Sequence, residues 1–328
     1  MSELPPTKLP HAAAELFADN LPSAQPTPAT PPITPAEGGW AAIIVLVTQN
    51  AVSAIALARG LPLGTALLLS FVVVVLVFGL TMRRTALALL RDVRWRTRPN
   101  IGVVLGSFAL AFVASRALLL FVLSLWPAGA QTVPEFLSKG ADVWVLLLVA
   151  GFLIPVAEEV AFRGLLMRGF EWARGPVFAA LVSSLLFGLA HGAPAQVIAI
   201  LPLAWFLARS VQYSGSLWTS ISIHILNNAL AVGLSAFLQG KDLSALGGDI
   251  TGVRIPLTLG LASLLVGVAA LVIGMLWLTP RTSPAPEVRF PRWPVWTLST
   301  VVLGVLVLAA VALSSAPLIF KNLDFKGL

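Results

Sequence analysis

Long apolar stretches, separated by short segments that contain arginine, constrain this chain more than any other feature. The 328 residues are 58% hydrophobic and 11% charged, whereas soluble domains carry about 25% charged residues. A helix needs roughly 20 mostly apolar residues to cross a bilayer core, and a segment in lipid becomes helical because a helix pairs its own backbone groups. The sequence therefore predicts an all-α, polytopic transmembrane helix bundle of about eight or nine spans.

The apolar stretches also divide the chain. The predicted spans are approximately 40–58, 61–80, 101–126, 142–163, 176–193, 195–210, 215–237, 255–279 and 294–316. Residues 1–38 are Pro-rich, without an apolar run, which predicts a disordered cytoplasmic tail with an idle His11. The remaining predicted divisions are N-terminal helices over 39–126, a core that carries the motifs over 140–240, and C-terminal helices over 241–328 with a Pro-rich loop at 280–293.

The distribution of arginine predicts an orientation. Six arginines lie within 81–100, and further ones follow at Arg168, Arg174 and Arg209 and within 281–292, so alternate loops are basic. Basic loops stay in the cytoplasm, which predicts a cytoplasmic N-terminus and an external C-terminus in a cell membrane. The net charge of +7 is thus assigned to topology and not to nucleic acid, and the lipid bilayer is the expected partner.

The absence of cysteine limits the chemistry of any metal site. With no Cys in the chain, disulfides and thiolate ligands are excluded, so a metal would need His, Asn or carboxylate ligands. The Ala-, Leu- and Arg-rich composition looks bacterial, which favours a bacterial cytoplasmic membrane.

The densest group of ionisable residues within a predicted span is Glu158-Glu159-Val-Ala-Phe-Arg163. Ionisable side chains in lipid are costly and are therefore candidate functional residues. Glu159 and Arg163 are four residues apart and can pair on one helix face. Glu158 lies about 100° further round the helix, without a local partner. An unpaired carboxylate at low dielectric suits a general base or a metal ligand.

Two further motifs contain the histidines of the predicted core, Phe187-Gly-Leu-Ala-His191 and His224-Ile-Leu-Asn-Asn228. His224 and Asn228 share a helix face and can converge on one ion or water. Small residues recur at four-residue spacing around the first motif, which predicts that His191 lies on a tightly packed helix. The members of this stripe are Ala180, Ser184, Gly188 and Gly192.

A turn at Gly175-Pro176 links the first two motifs. Glu158 and His191 are nearly equidistant from it, so an antiparallel hairpin would bring them to one depth. Counting from a turn near Tyr213 places His224 at a shallower depth, unless tilt or a break at Pro202 compensates. A lone buried His or a Glu–Arg pair is often structural, but their joint occurrence favours a site.

Together the motifs resemble the CPBP family, which groups type II CAAX prenyl endopeptidases with abortive-infection and bacteriocin-processing homologues. Its signatures EExxxR, FxxxH and HxxxN are matched in order and spacing within 140–240. The resemblance implies a membrane-embedded metallo-endopeptidase that hydrolyses a peptide bond in a membrane-associated peptide or protein.

The resemblance also implies roles for six residues. Glu158 would activate the attacking water, and Glu159 and Arg163 would orient it or support substrate binding. His191, His224 and Asn228 would position the water and the oxyanion, or would bind a divalent metal together with Glu158, with zinc as the expected ion.

Two other classes of function remain open. The motifs could be kept for structure in a non-catalytic scaffold, immunity or regulatory protein, or Glu158 could relay protons in a transporter. The sequence has no evident inverted repeat of the kind found in many transporters. Arg116 and Gln49-Asn50 are further polar groups in spans, interpreted as helix contacts or cavity lining.

Overall fold

A computed structural model describes residues 33–126, 143–238, 255–279 and 294–322. Most of the predicted tail, His11, the loops at 127–141 and 239–254 and the Pro-rich loop at 280–293 lie outside the described residues. The helices are, in chain order, α1 Pro35–Ala58, α2 Leu63–Thr81, α3 Arg83–Arg91, α4 Val93–Arg96, α5 Ile101–Leu125, α6 Val143–Arg174, α7 Pro176–Leu189, α8 Pro194–Ser214, α9 Leu217–Leu238, α10 Leu257–Trp277 and α11 Leu298–Asn322.

The helices confirm the predicted fold class. Within the described ranges, eight helices are long and apolar enough to cross a membrane, and α7, with 14 residues, is a shorter apolar helix. No strand occurs in the part of the chain that the structure describes. The chain is therefore an all-α, multi-pass membrane protein.

The first helix begins earlier than the sequence predicted. Thr34 accepts a hydrogen bond from the backbone N–H of Glu37, and Glu37 accepts one from the N–H of Thr34. This capping box satisfies backbone donors that would otherwise be unpaired at the helix start. Pro35 is the first residue of the helix, where its missing N–H costs nothing, although the sequence placed it in the disordered tail.

One long helix, α6, carries Glu158, Glu159 and Arg163. It contains two π-helical stretches, Leu147–Leu153 and Val160–Leu166, which widen the turn on either side of the acidic pair. The helix ends at Gly175, whose φ of +86° is tolerated because glycine has no Cβ. Pro176 then starts α7, so the predicted hairpin is present.

The predicted position of His191 within a helix is wrong. Helix α7 ends at Leu189, and His191 lies in the turn that leads to α8. Gly192 allows the turn through a φ of +74°. The small-residue stripe does pack α7 closely against α8, because a Cβ on Gly188 would lie 2.8 Å from the Leu201 side chain.

The arginine-containing ends of several helices meet at one end of the bundle. Arg94 in α4 pairs with Glu171 near the end of α6 at 2.8 Å, and Arg168 pairs with Asp92 at 3.4 Å. Arg209 in α8 donates to the carbonyl of Leu278, just after α10. Of the basic segments predicted to share one membrane face, those at 81–100 and 164–175 therefore lie together, and the segment at 281–292 is outside the described residues.

Candidate active site

A buried ion pair forms the base of the site. Glu159 Oε1 and Arg163 Nη1 are 2.9 Å apart, and neither side chain is exposed. Arg163 also donates through Nη2 to the carbonyl of Ala204 at 3.0 Å and lies 4.2 Å from the ring centroid of Phe187. The pair predicted from the four-residue spacing thus ties α6 to α7 and α8, and its charge is balanced internally.

His224 connects the ion pair to Glu158. Its Nδ1 lies 3.1 Å from Glu159 Oε1. Because an ionised carboxylate only accepts hydrogen bonds, Nδ1 carries a proton, and in the neutral imidazole Nε2 then has the lone pair. Nε2 lies 3.7 Å from Glu158 Oε2, and the Glu158 side chain is 12% exposed while that of Glu159 is fully buried. His224 therefore lies at the same depth as both carboxylates. Counting residues from a turn near Tyr213 had placed it at a shallower depth.

His191 is oriented in the same manner by a different acceptor. Its Nδ1 lies 2.9 Å from the carbonyl oxygen of Phe187. A carbonyl only accepts, so Nδ1 donates, and in the neutral imidazole Nε2 is then an acceptor. The four-residue spacing of the motif is what brings this carbonyl to the imidazole. The Phe187 ring also contacts both imidazoles, with centroid distances of 5.0 Å to His191 and 5.6 Å to His224.

Asn228 lies in an amide pair at the wall of a cavity. Its Nδ2 donates to the carbonyl of Ala150 in α6 at 3.2 Å, and its Oδ1 accepts from Nδ2 of Asn227 at 3.1 Å. The first bond fixes α9 against the π-helical stretch that precedes Glu158. Asn228 therefore has a defined orientation beside the predicted site residues.

Two cavities reach these residues. The smaller, of about 310 Å³, is lined by Glu158, His191 and the rings of Phe162 and Phe187. The larger, of about 430 Å³, is lined by His191 and Asn228 among mostly apolar groups. His191, Gln49 and Gln196 line both cavities. Contacts therefore join Glu158, Glu159, Arg163 and His224, while His191 shares the smaller cavity with Glu158 and the larger one with Asn228.

The donor atoms have the chemistry of a metal site but are not a complete ligand set. Histidines that bind metals usually donate their other ring N–H to a carboxylate or a backbone carbonyl, as His224 and His191 do. In the described ranges, no three His, Cys, Asp or Glu side chains are grouped so that they could hold an ion by themselves. A metal here would need an amide oxygen or water among its ligands.

Several site features were not predicted from the sequence. The carbonyls of Ala204, Phe187 and Ala150 are backbone groups, which carry no residue signature. Gln196 and Asn227 gave no separate signal, although Asn227 directly precedes a predicted residue. Gln49 and Asn50 were noted as polar groups within a span, and this was the sequence signal for the part of the smaller cavity that α1 lines.

Comparison with known proteins agrees with the motifs. Residues 140–230 match the family model described as type II CAAX prenyl endopeptidase Rce1-like. No curated protein and no solved structure matches the chain significantly. The matched segment contains the six predicted site residues and extends from the start of α6 into α9. Residues 140–230 therefore form a domain of the Rce1-like type II CAAX prenyl endopeptidase family, a family of membrane proteases.

Proposed function

We propose that this chain is a membrane-embedded endopeptidase of the CAAX type, in which Glu158 activates water to hydrolyse a peptide bond in a membrane-associated peptide or protein. The observation that carries the proposal is the approach of Glu158 Oε2 to His224 Nε2 at 3.7 Å, beside a cavity that also reaches His191. Both imidazoles are fixed through Nδ1 and present an acceptor. A water that is hydrogen-bonded to both Glu158 Oε2 and His224 Nε2 would be oriented and ready to lose a proton.

In the proposed reaction, Glu158 carries the transferred proton and His224 orients the water. Glu158 takes a proton from the water as the water oxygen bonds to the scissile carbonyl carbon. His224 Nε2 accepts a hydrogen bond from the second O–H of the water and so aligns the attack. When the tetrahedral intermediate collapses, the C–N bond breaks, and protonated Glu158 gives its proton to the leaving nitrogen. The products are an amine and a carboxylic acid, which keeps the second water hydrogen until it ionises in water, and Glu158 is again ionised.

Glu159 and Arg163 hold this arrangement without taking part in proton transfer. Glu159 is engaged by Arg163 and by His224 Nδ1, so it fixes the tautomer of His224. Asn228 retains one amide hydrogen beyond the bond to Ala150. This hydrogen can stabilise the oxyanion if the carbonyl lies in the larger cavity.

The lining of the cavity supports a cation as cofactor. Glu158 lies close to His224 Nε2 and shares the smaller cavity with His191, and a cation held by these groups would add positive charge to stabilise an oxyanion. A divalent metal, with zinc expected, would be held by His191 and His224 with Glu158 and Asn228 as oxygen ligands, and would polarise the scissile carbonyl and the water.

The reaction is tested by Glu158→Gln, which preserves the side-chain volume and removes the base. We expect peptide products in membranes that contain the wild type and a loss of about 10²- to 10⁴-fold in their formation with Glu158→Gln at equal protein level. Mass spectrometry of membrane peptides measures the products. Glu171→Gln is the control, since Glu171 lies at the arginine-rich end of the bundle. Identical peptide patterns in wild type and Glu158→Gln would refute hydrolysis by this site.

A further inference from the structure

Arg116 is a cation in the middle of a membrane-spanning helix without an acidic partner among the described residues. It lies in α5, and its recorded contact is with the ring of Phe112, 5.3 Å from the guanidinium carbon. The ion pairs of the described ranges involve other residues. Arg163, in contrast, is fully buried and is neutralised by Glu159, whereas Arg116 is exposed. A charged side chain in lipid is costly, so Arg116 calls for a partner that is not part of the described chain.

The surroundings of Arg116 indicate where that partner lies. Arg116 and the adjacent Ser115 line the larger cavity, whose walls also include His191 and Asn228. The remaining lining is mostly apolar. A substrate chain whose scissile bond is at Glu158 would extend past His191 into this cavity. Arg116 would then meet the substrate at a distance from the reacting bond.

The cavity walls that carry Arg116 are outside the family domain. Residues 140–230 supply the proposed chemistry, whereas Leu67 in α2, Arg116 in α5 and Gln49 in α1 complete the larger cavity. Features that determine which substrate is accepted are therefore expected on these helices.

We propose that Arg116 binds a carboxylate of the peptide substrate in the larger cavity and so sets which peptide bond reaches Glu158. The inference rests on the proposed endopeptidase function. A planar guanidinium pairs with a carboxylate through two parallel hydrogen bonds, and the mostly apolar lining of the cavity offers few competing polar partners. The carboxylate is either the C-terminus of the peptide or an Asp or Glu side chain. Gln49 and Gln196, which line both cavities, are placed to bind the peptide backbone between the two ends.

Binding, and not cleavage, is the direct test. Purified full-length protein carrying Glu158→Gln is incubated with three degenerate libraries of short apolar peptides: free acids, matched C-terminal amides, and amides with one internal Glu. Mass spectrometry quantifies the peptides retained. We expect retention of free acids or of Glu-containing amides to exceed that of neutral amides by about tenfold, and the added substitution Arg116→Gln to abolish the preference. The library that is preferred identifies the source of the carboxylate.

The controls separate this proposal from the proposed function. Arg59→Gln removes an exposed arginine beyond the end of α1 and should leave the preference unchanged. If Arg116→Gln does not fold, Arg116→Lys decides: a reduced preference supports paired recognition by the guanidinium, and an unchanged one refutes it. Equal retention of all libraries would overturn the proposal regardless of activity. Cleavage of retained peptides by protein with an intact Glu158 is measured separately, so absent hydrolysis counts against the proposed function alone.

Discussion

Glu158 and Glu159 are neighbours in sequence, but their carboxylates have different surroundings. Glu159 is fully buried and bonds to both Arg163 and His224. Glu158 is partly exposed, borders a cavity and lies 3.7 Å from His224 Nε2. The 100° rotation between adjacent helical residues produces this division. One carboxylate is bound within the bundle, and the other is accessible from the cavity, as the proposed general base requires.

The first prediction follows from the burial of the ion pair. Glu159→Gln leaves the guanidinium of Arg163 without its counter-charge inside the bundle, which typically costs about 3–5 kcal/mol. We expect a clearly lower thermal unfolding temperature of the purified protein. Replacing both partners, as in Glu159→Leu with Arg163→Met, should recover much of the loss because no charge remains unpaired. A Glu159→Gln variant as stable as wild type would show that the pair is not structural.

The second prediction concerns the proposed metal. His191→Ala removes an imidazole that lines both cavities and is bonded through Nδ1 to the carbonyl of Phe187. We expect its metal affinity to fall by more than about tenfold, since loss of an indirect contact alone typically costs that much. Elemental analysis of purified full-length protein during titration with zinc measures binding without any activity assay. His11→Ala is the matched control, as the sequence predicts no role for that residue. Equal zinc content in all three proteins would contradict these ligands.

At the scale of helices, the spacing within each motif was predictable, but the local backbone was not. The pair Glu159–Arg163 follows from a separation of four residues. The π-helical stretches of α6 and the early end of α7 carry no comparable signal, because apolar composition permits either geometry in lipid. The position of His191 in a turn was therefore missed, although Gly192 was noted as a small residue. The sequence analysis assigned Gly192 to close helix packing. The turn instead requires the positive φ that Gly192 adopts.

The third prediction tests this turn. Gly192→Ala places a side chain at a φ of +74° and a Cβ 2.9 Å from Ser314 Oγ in α11. The left-handed conformation alone costs roughly 1–2 kcal/mol, so the turn should shift and move His191. We expect reduced peptide products and a lower unfolding temperature. Gly60→Ala has a similar φ of +84° with open space around it and lies between α1 and α2. It should lose stability without losing products, and an equal loss of products in both variants would argue against a local role.

At the scale of the whole molecule, hydropathy predicted the spans but not the partners of each helix. Span number and length follow from the bilayer thickness. Helix association in lipid depends on shape complementarity between small residues, which hydropathy does not record. A Cβ on Gly38 in α1 would lie 2.5 Å from the backbone of Leu166 in α6. This close approach packs α1 against α6, and Gln49 and Asn50 of α1 line the cavity beside Glu158, whereas the sequence left the role of this helix open.

The last prediction concerns the orientation of the bundle. Ion pairs join the segments that contain Arg94 and Arg168 at one end, and the opposite end, beyond α1, has Arg59. The positive-inside rule therefore places the Arg94 end in the cytoplasm. The chain has no native Cys, so single substitutions report accessibility without background. In intact cells, an impermeant thiol reagent should label Ala58→Cys and should label Val93→Cys only after the membrane is disrupted. Both positions are exposed, and denatured protein provides the control for labelling efficiency. The reverse pattern would place the basic end outside and would mean that arginine does not set the topology of this protein.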